Sequence, residues 1–179
     1  LQIPGVTVAL VTAESFATLA RTAVPFISVF LYQISGNAEL RGGPMPLGPD
    51  GRPRRQPLPL ELCYLVTAWG ARNQNDVATD ATAAREEARL FGLILQTFYV
   101  NAEVGRSDLF EMPGIPVWNP HDGMQISLET LPIDAHYRIW DAAEHSYRLS
   151  VTYRARVISL DTPQEPAGPP VREAILEIA

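Results

Sequence analysis

Three histidines, one cysteine and a set of carboxylates are the residues of this chain able to do acid–base, nucleophilic or metal chemistry. His121, His136 and His145 show no metal-ligand spacing. His121-Asp122 sets a nitrogen donor beside a carboxylate, but in a Pro/Gly-rich stretch that brings no further ligand. His136, Asp141 and Glu144 fall on one short predicted helix, where they make either an acid–base group or an ordinary polar face; the polar face is the simpler reading. Cys63 sits in an apolar, strand-like run with no base nearby in sequence, so it reads as a small buried hydrophobe. The chain has no G-x-S-x-G elbow, phosphate-binding loop, G-x-G-x-x-G or H-E-x-x-H. The sequence therefore predicts neither an enzyme nor a cofactor or metal site.

The remaining chemistry is cationic and aromatic. Every basic residue is arginine, and the planar guanidinium suits paired contacts with carboxylates across an interface. Arg148, Arg154 and Arg156 lie on one face of a predicted strand, which meets either solvent or another protein. Arg52, Arg54 and Arg55 cluster in a proline-rich loop, as solvated turn residues or as a docking point. Trp69, Trp118 and Trp140 read as core or interface anchors.

Several elements must position these side chains. Residues 6–23 carry an approximate apolar stripe at Val8, Val11, Phe16 and Leu19 and predict a helix, with a strand over Val6 to Val11 as the alternative. Pro25 ends it. Phe26 to Ile34 is apolar on both sides, as in a strand covered on two faces. A proline-dense connector over 36–59 follows, then a strand over Leu58 to Trp69. Residues 79–99 predict a helix with Ala84, Ala88, Phe91, Leu95 and Phe98 as its apolar seam and Arg85, Glu86, Glu87 and Arg89 on a solvated side. An irregular stretch over 101–123 leads to a strand from Met124 to Leu131. Pro132 opens a short helix whose Ile133, Tyr137 and Trp140 should pack on the sheet. Residues 146–161 alternate throughout, predicting one strand longer than most. Thr162 to Pro170 reads as a Pro-rich linker, and Val171 to Ile178 as a final strand or arm, with Val171, Ile175 and Ile178 as its apolar contacts.

The fold class expected is α+β: a mainly antiparallel sheet of long strands packed against two longer helices and one short helix. One domain is expected over 1–161, with the linker and arm over 162–179. The formal charge of −6, from 14 basic and 20 acidic residues, argues against a nucleic-acid partner, whose phosphates call for a basic surplus. No apolar run reaches the ~20 residues that cross a bilayer, so no membrane insertion is expected. No secretory signal is visible, although the chain begins at Leu1.

Specific runs then carry a family likeness. VFLYQISGNAELR (Val29 to Arg41) precedes the proline-rich loop and PLPLELCYLVTAW (Pro57 to Trp69). ARLFGLILQTF (Ala88 to Phe98) and ISLETLPIDAHYRIWDAAEHSYRLSVTYRARVISLD (Ile126 to Asp161) come later. This set resembles the N-terminal domain of the cap, or tail-terminator, proteins of phage-tail-like contractile injection systems of the antifeeding-prophage and virulence-cassette type. The resemblance covers roughly Val29 to Asp161. It implies a structural, non-enzymatic protein without cofactor, forming a homo-hexameric ring that ends the inner tube and sheath and holds the sheath extended. The implied partners are other copies of itself, the sheath protein and the inner-tube protein. The implied location is the bacterial cytoplasm during assembly and then the particle, outside the cell if it is released. Two other readings stay open: a monomeric protein-binding adaptor of the same fold, and a small hydrolase using His121/Asp122 or His136/Glu144.

Overall fold

The computed structural model describes residues 5–37, 58–72, 77–109 and 123–160. Among these residues, six strands form one sheet: β1 (Thr7–Val11), β2 (Phe26–Gly36), β3 (Leu58–Trp69), β4 (Glu103–Gly105), β5 (Gly123–Glu129) and β6 (Val151–Leu160). The order is β1-β2-β3-β6-β5-β4. Three helices accompany it: α1 (Phe16–Leu19), α2 (Val77–Val100) and α3 (Ile133–Ala142). The expected α+β fold is present, and four of the five strand pairings are antiparallel. The exception is β1, parallel to β2 from Thr7↔Phe26 to Val11↔Phe30, which makes the sheet mixed.

That parallel pair corrects the expected helix over 6–23. Val6, Val8 and Leu10 alternate with Thr7 and Ala9, and β-branched residues favour the pleated, half-buried edge that β2 offers. A parallel pair needs a long crossover, and residues 12–25 provide it through the 3₁₀ turn Ala13–Ser15 and α1. Phe16, the pivot of that crossover, is fully buried.

The expected strand over 146–161 is also corrected. Pairing with β3 stops at Val66↔Val151, so β6 keeps ten residues. Ser146 to Ser150 stay outside any strand, and the side chains of Arg148 and Ser150 are held elsewhere. The Arg148 guanidinium lies 4.8 Å from the Trp69 ring centre, and the Trp140 indole N–H donates to Ser150 Oγ at 3.2 Å.

Each face of the sheet has its own core. On one face, Leu90, Phe91 and Ile94 of α2 pack on Ile27, Val66, Ala68 and Tyr153. On the other, Phe16, Leu65, Trp69 and Trp140 form an aromatic cluster, with the Phe16 and Trp140 rings 4.9 Å apart. The Trp69 indole donates to Ser28 Oγ at 2.8 Å, which satisfies two buried polar groups at once. The seam of α2 is therefore rotated from the sequence expectation. Ala83, Leu90, Phe91 and Ile94 are buried, whereas Ala84, Ala88 and Leu95 are exposed. Two overlapping apolar stripes exist on this helix, and the one that meets the sheet is set by Gly70. A Cβ at Gly70 would stand 2.4 Å from the Ala83 carbonyl oxygen, so glycine lets α2 lie directly on the end of β3.

Candidate assembly surface

The register of three strands builds the polar side of the sheet. Glu61 faces Arg156 and Cys63 faces Arg154 across β3 and β6; Ser127 faces Arg154 and Glu129 faces Thr152 across β5 and β6. Side chains on one face of neighbouring strands lie close enough to pair, and these do. Arg154 bridges the Glu61 and Glu129 carboxylates. Arg156 reaches Glu61 at 3.2 Å, and the Asn37 amide donates to the same carboxylate at 3.0 Å. Arg154 is thus engaged within the sheet, while Arg156 is the most exposed of the three sequence-predicted arginines, at 44% of its side chain.

Arg148 belongs to a second cluster, at the junction of α2 with the end of β3. Glu87 accepts from the Gly70 backbone N–H at 3.1 Å, from Arg72 at 3.1 Å and from Arg148 at 3.5 Å. Glu86 accepts from the Ala71 N–H at 3.1 Å, and Arg72 also reaches Asp80 at 3.2 Å. Burial, aided by the nearby charge of Arg72, pushes the Arg148 pKa down, while Glu87 and Asp80 oppose that shift. Glu86 and Glu87 are therefore not on a solvated face as the sequence suggested. They turn in because the strand end leaves backbone donors without partners, and a carboxylate is a strong acceptor for them.

The candidate chemical residues do not converge. His136 Nδ1 lies 3.4 Å from Ser150 Oγ, and burial lowers its pKa. The His145 ring stands among Phe16, Trp69 and Trp140, with Nδ1 at 2.8 Å from the Ser146 carbonyl oxygen. Asp141 and Glu144 are exposed. Cys63 is buried on the polar face beside Tyr32, whose hydroxyl is pushed up to about 12, by burial first and then by Cys63. Among the described residues, no group of three or more His, Cys, Asp or Glu is placed to hold a metal ion. No helix among them is long and apolar enough to cross a membrane. His121, Asp122, Trp118, Arg52, Arg54, Arg55, Val171, Ile175 and Ile178 lie outside the described residues.

What the sequence reading missed is apolar surface. The C-terminal half of α2 covers only part of its sheet face and leaves a trough on each side of Phe98, both floored by Ile126 and Tyr153. The one toward β1 holds about 320 Å³ and is walled by Val8, Val29 and Tyr64. The one toward β5 holds about 600 Å³ and is walled by Leu95, Tyr99 and Leu128. On the opposite side of the sheet, Ile133 and Tyr137 of α3 face solvent with Leu149. This corrects the expectation that Ile133, Tyr137 and Trp140 all pack inward. Only Trp140 is buried, because a ten-residue helix offers the aromatic cluster a single stripe. The spacing of Ile133 and Tyr137 held the signal, but a helix turned outward has the same spacing as one turned inward.

The described residues thus combine a mixed sheet, polar side chains paired within it and apolar patches left exposed. The chain belongs to the Pvc16 N-terminal domain family, whose model matches residues 2–173. Two solved structures are similar to this chain. One is the sheath/tube terminator, in the extended state, of the extracellular contractile injection system PVC. It matches all of this chain at 19% identity and a TM-score of 0.52. The other is the tube-terminating cap of the anti-feeding prophage, matched over 92% of this chain at 18% identity and a TM-score of 0.49. The chain covers 58% and 59% of their respective lengths. No curated protein sequence gives a significant match.

Proposed function

We propose that this protein is a structural cap, or tail terminator, of a contractile injection system. It forms a homo-hexameric ring that ends the inner tube and sheath and stabilises the extended sheath. The observation that carries this reading is the family match, which runs through almost the whole chain. The role is structural rather than enzymatic, and needs no cofactor, nucleic acid or membrane insertion. The partners are further copies of this chain, the sheath protein and the inner-tube protein. Assembly takes place in the bacterial cytoplasm, and the protein then stays with the particle.

Three contact sets follow. Val171, Ile175 and Ile178 form an arm that adds to a neighbour's sheet, since an apolar segment behind a Pro-rich tether suits strand addition. Arg52, Arg54 and Arg55 dock on acidic surface of tube or sheath. On the sheet, Arg156 offers the most accessible cation, while Arg148 and Arg154 take part through the clusters that hold them.

The test is co-assembly of sheath and tube proteins with and without this chain, read as the length distribution of the polymers. Capping narrows that distribution and enriches extended sheath. Deleting 171–179 and, separately, replacing Arg52, Arg54 and Arg55 by serine should each reduce the effect. Unchanged lengths with the intact protein present would reject the cap reading.

A further inference from the structure

We propose that the α3 ridge of one copy of this chain docks into the β5-side trough of the next, a head-to-tail contact between two different surfaces of the same protein. The inference names the surfaces behind the self-association in the proposed function, and to that extent rests on it. Its basis is a pair of complementary patches. The trough is floored by Phe98, Ile126 and Tyr153 and rimmed by Leu95, Tyr99 and Leu128, with Tyr99 86% exposed. The ridge consists of Ile133 and Tyr137, one turn apart on α3, together with Tyr147, which stacks on Tyr137 at 4.4 Å, and Leu149, 61% exposed. Exposed aromatic and aliphatic side chains gathered in this way are the material of an interface core.

Charge selects the pairing. Arg85 and Arg89 are exposed on the stripe of α2 that continues through Gln96 and Tyr99 to the trough. No ion pair holds either arginine among the described residues, because Glu86 and Glu87 turn inward to Ala71, Gly70 and Arg148. The helix stripe leading to the trough thus carries two exposed cations in a protein of net negative charge, with Glu103, beside Ala102, as the exposed carboxylate at its far end. The ridge side is acidic: Asp134, Asp141 and Glu144 are exposed around it, against one exposed cation, Arg138, which is 4.0 Å from Asp134, while Arg148 is mostly buried on Glu87. Trough against trough or ridge against ridge would bring like charges together, whereas ridge into trough joins opposite ones. Since α2 and α3 pack on opposite faces of the sheet, one copy uses both patches at once, with a different neighbour at each. Such a contact propagates and closes into a ring when its rotation allows.

Two exposed charge reversals test this without touching the core. Arg85→Glu/Arg89→Glu makes both patches of a copy acidic; Asp134→Arg/Asp141→Arg makes both basic. Each variant alone should associate at least about tenfold more weakly than the unaltered chain by analytical ultracentrifugation. An equimolar mixture should regain association, because each trough then finds an oppositely charged ridge on the other variant. Association of either variant at unaltered strength, or a mixture no better than its components, would overturn the proposal. So would an unaltered chain that stays monomeric at about 100 µM, far above the micromolar constants that interfaces of ordinary size reach. If these outcomes came with intact capping in the sheath–tube assay, the surface would be wrong and the cap reading would stand.

Discussion

Replacing Glu87 should do more damage than its place on a helix beside Arg85 and Arg89 suggests. Its carboxylate accepts from the Gly70 N–H, Arg72 and Arg148, and so ties α2 to the end of β3 and to the segment before β6. Losing one charge-assisted hydrogen bond costs about 1.5–3 kcal/mol, and stranding the partner of a buried ion pair about 3–5 kcal/mol. The site is not fully dry: the side chains of Glu87 and Arg148 are each 19% exposed and that of Arg72 is 27% exposed. Water compensates part of the loss, so Glu87→Ala should cost ~2–3 kcal/mol. For a chain of this length that lowers Tm by roughly 5–10 °C. Glu87→Gln keeps an acceptor for the Gly70 N–H but loses the charge, and should fall about midway between Glu87→Ala and the intact chain. Urea unfolding followed by far-ultraviolet circular dichroism measures both variants. A Glu87→Ala loss below ~0.5 kcal/mol, the range of ordinary surface changes, would refute this reasoning.

Gly70→Ala should destabilise by ~1–3 kcal/mol or misplace α2, since the added Cβ meets the Ala83 backbone, which has little room to yield; thermal unfolding reads the loss. Burial lowers the His136 pKa below 6.5, so the unfolded chain binds the extra proton. Stability should therefore fall as pH drops through 6.5 and level off below the folded value, and His136→Gln should flatten that part of the urea-midpoint profile. Tyr32 titrates in the opposite sense. With its folded pKa raised from 10.0 to about 12, its contribution is complete below pH 10.0 and lost as pH rises toward about 12; Tyr32→Phe should remove that loss in alkaline unfolding.

The strands most legible in the sequence were those whose apolar pattern fitted a strand alone. Phe26 to Ile34 and Leu58 to Trp69 are long, mostly apolar runs, and they became the neighbouring strands β2 and β3 almost at the expected limits. Where two patterns overlapped, tertiary contacts decided. Val6 to Val11 fit a helix or a strand, and the free edge of β2 made it a strand. α2 carried two apolar stripes, and the missing Cβ of Gly70 selected the one through Ala83 and Leu90. The alternation over 146–161 was real, but alternation cannot reveal that Trp69 and Glu87 draw Arg148 out of the ladder.

Site residues were less legible for the same reason. Arg148, Arg154 and Arg156 were visible as cations, yet their carboxylate partners come from α2, β3 and β5, far away in sequence. The outward turn of Ile133 and Tyr137 likewise depends on which stripe of α3 the aromatic cluster accepts.

The most direct test of the cap reading is cryo-electron microscopy of particles assembled from sheath protein, tube protein and this chain. A capping role predicts extended particles that end in a six-fold ring of density into which the β1–β6 sheet fits. Sheaths and tubes that grow without a defined end while the chain stays free in solution would contradict it.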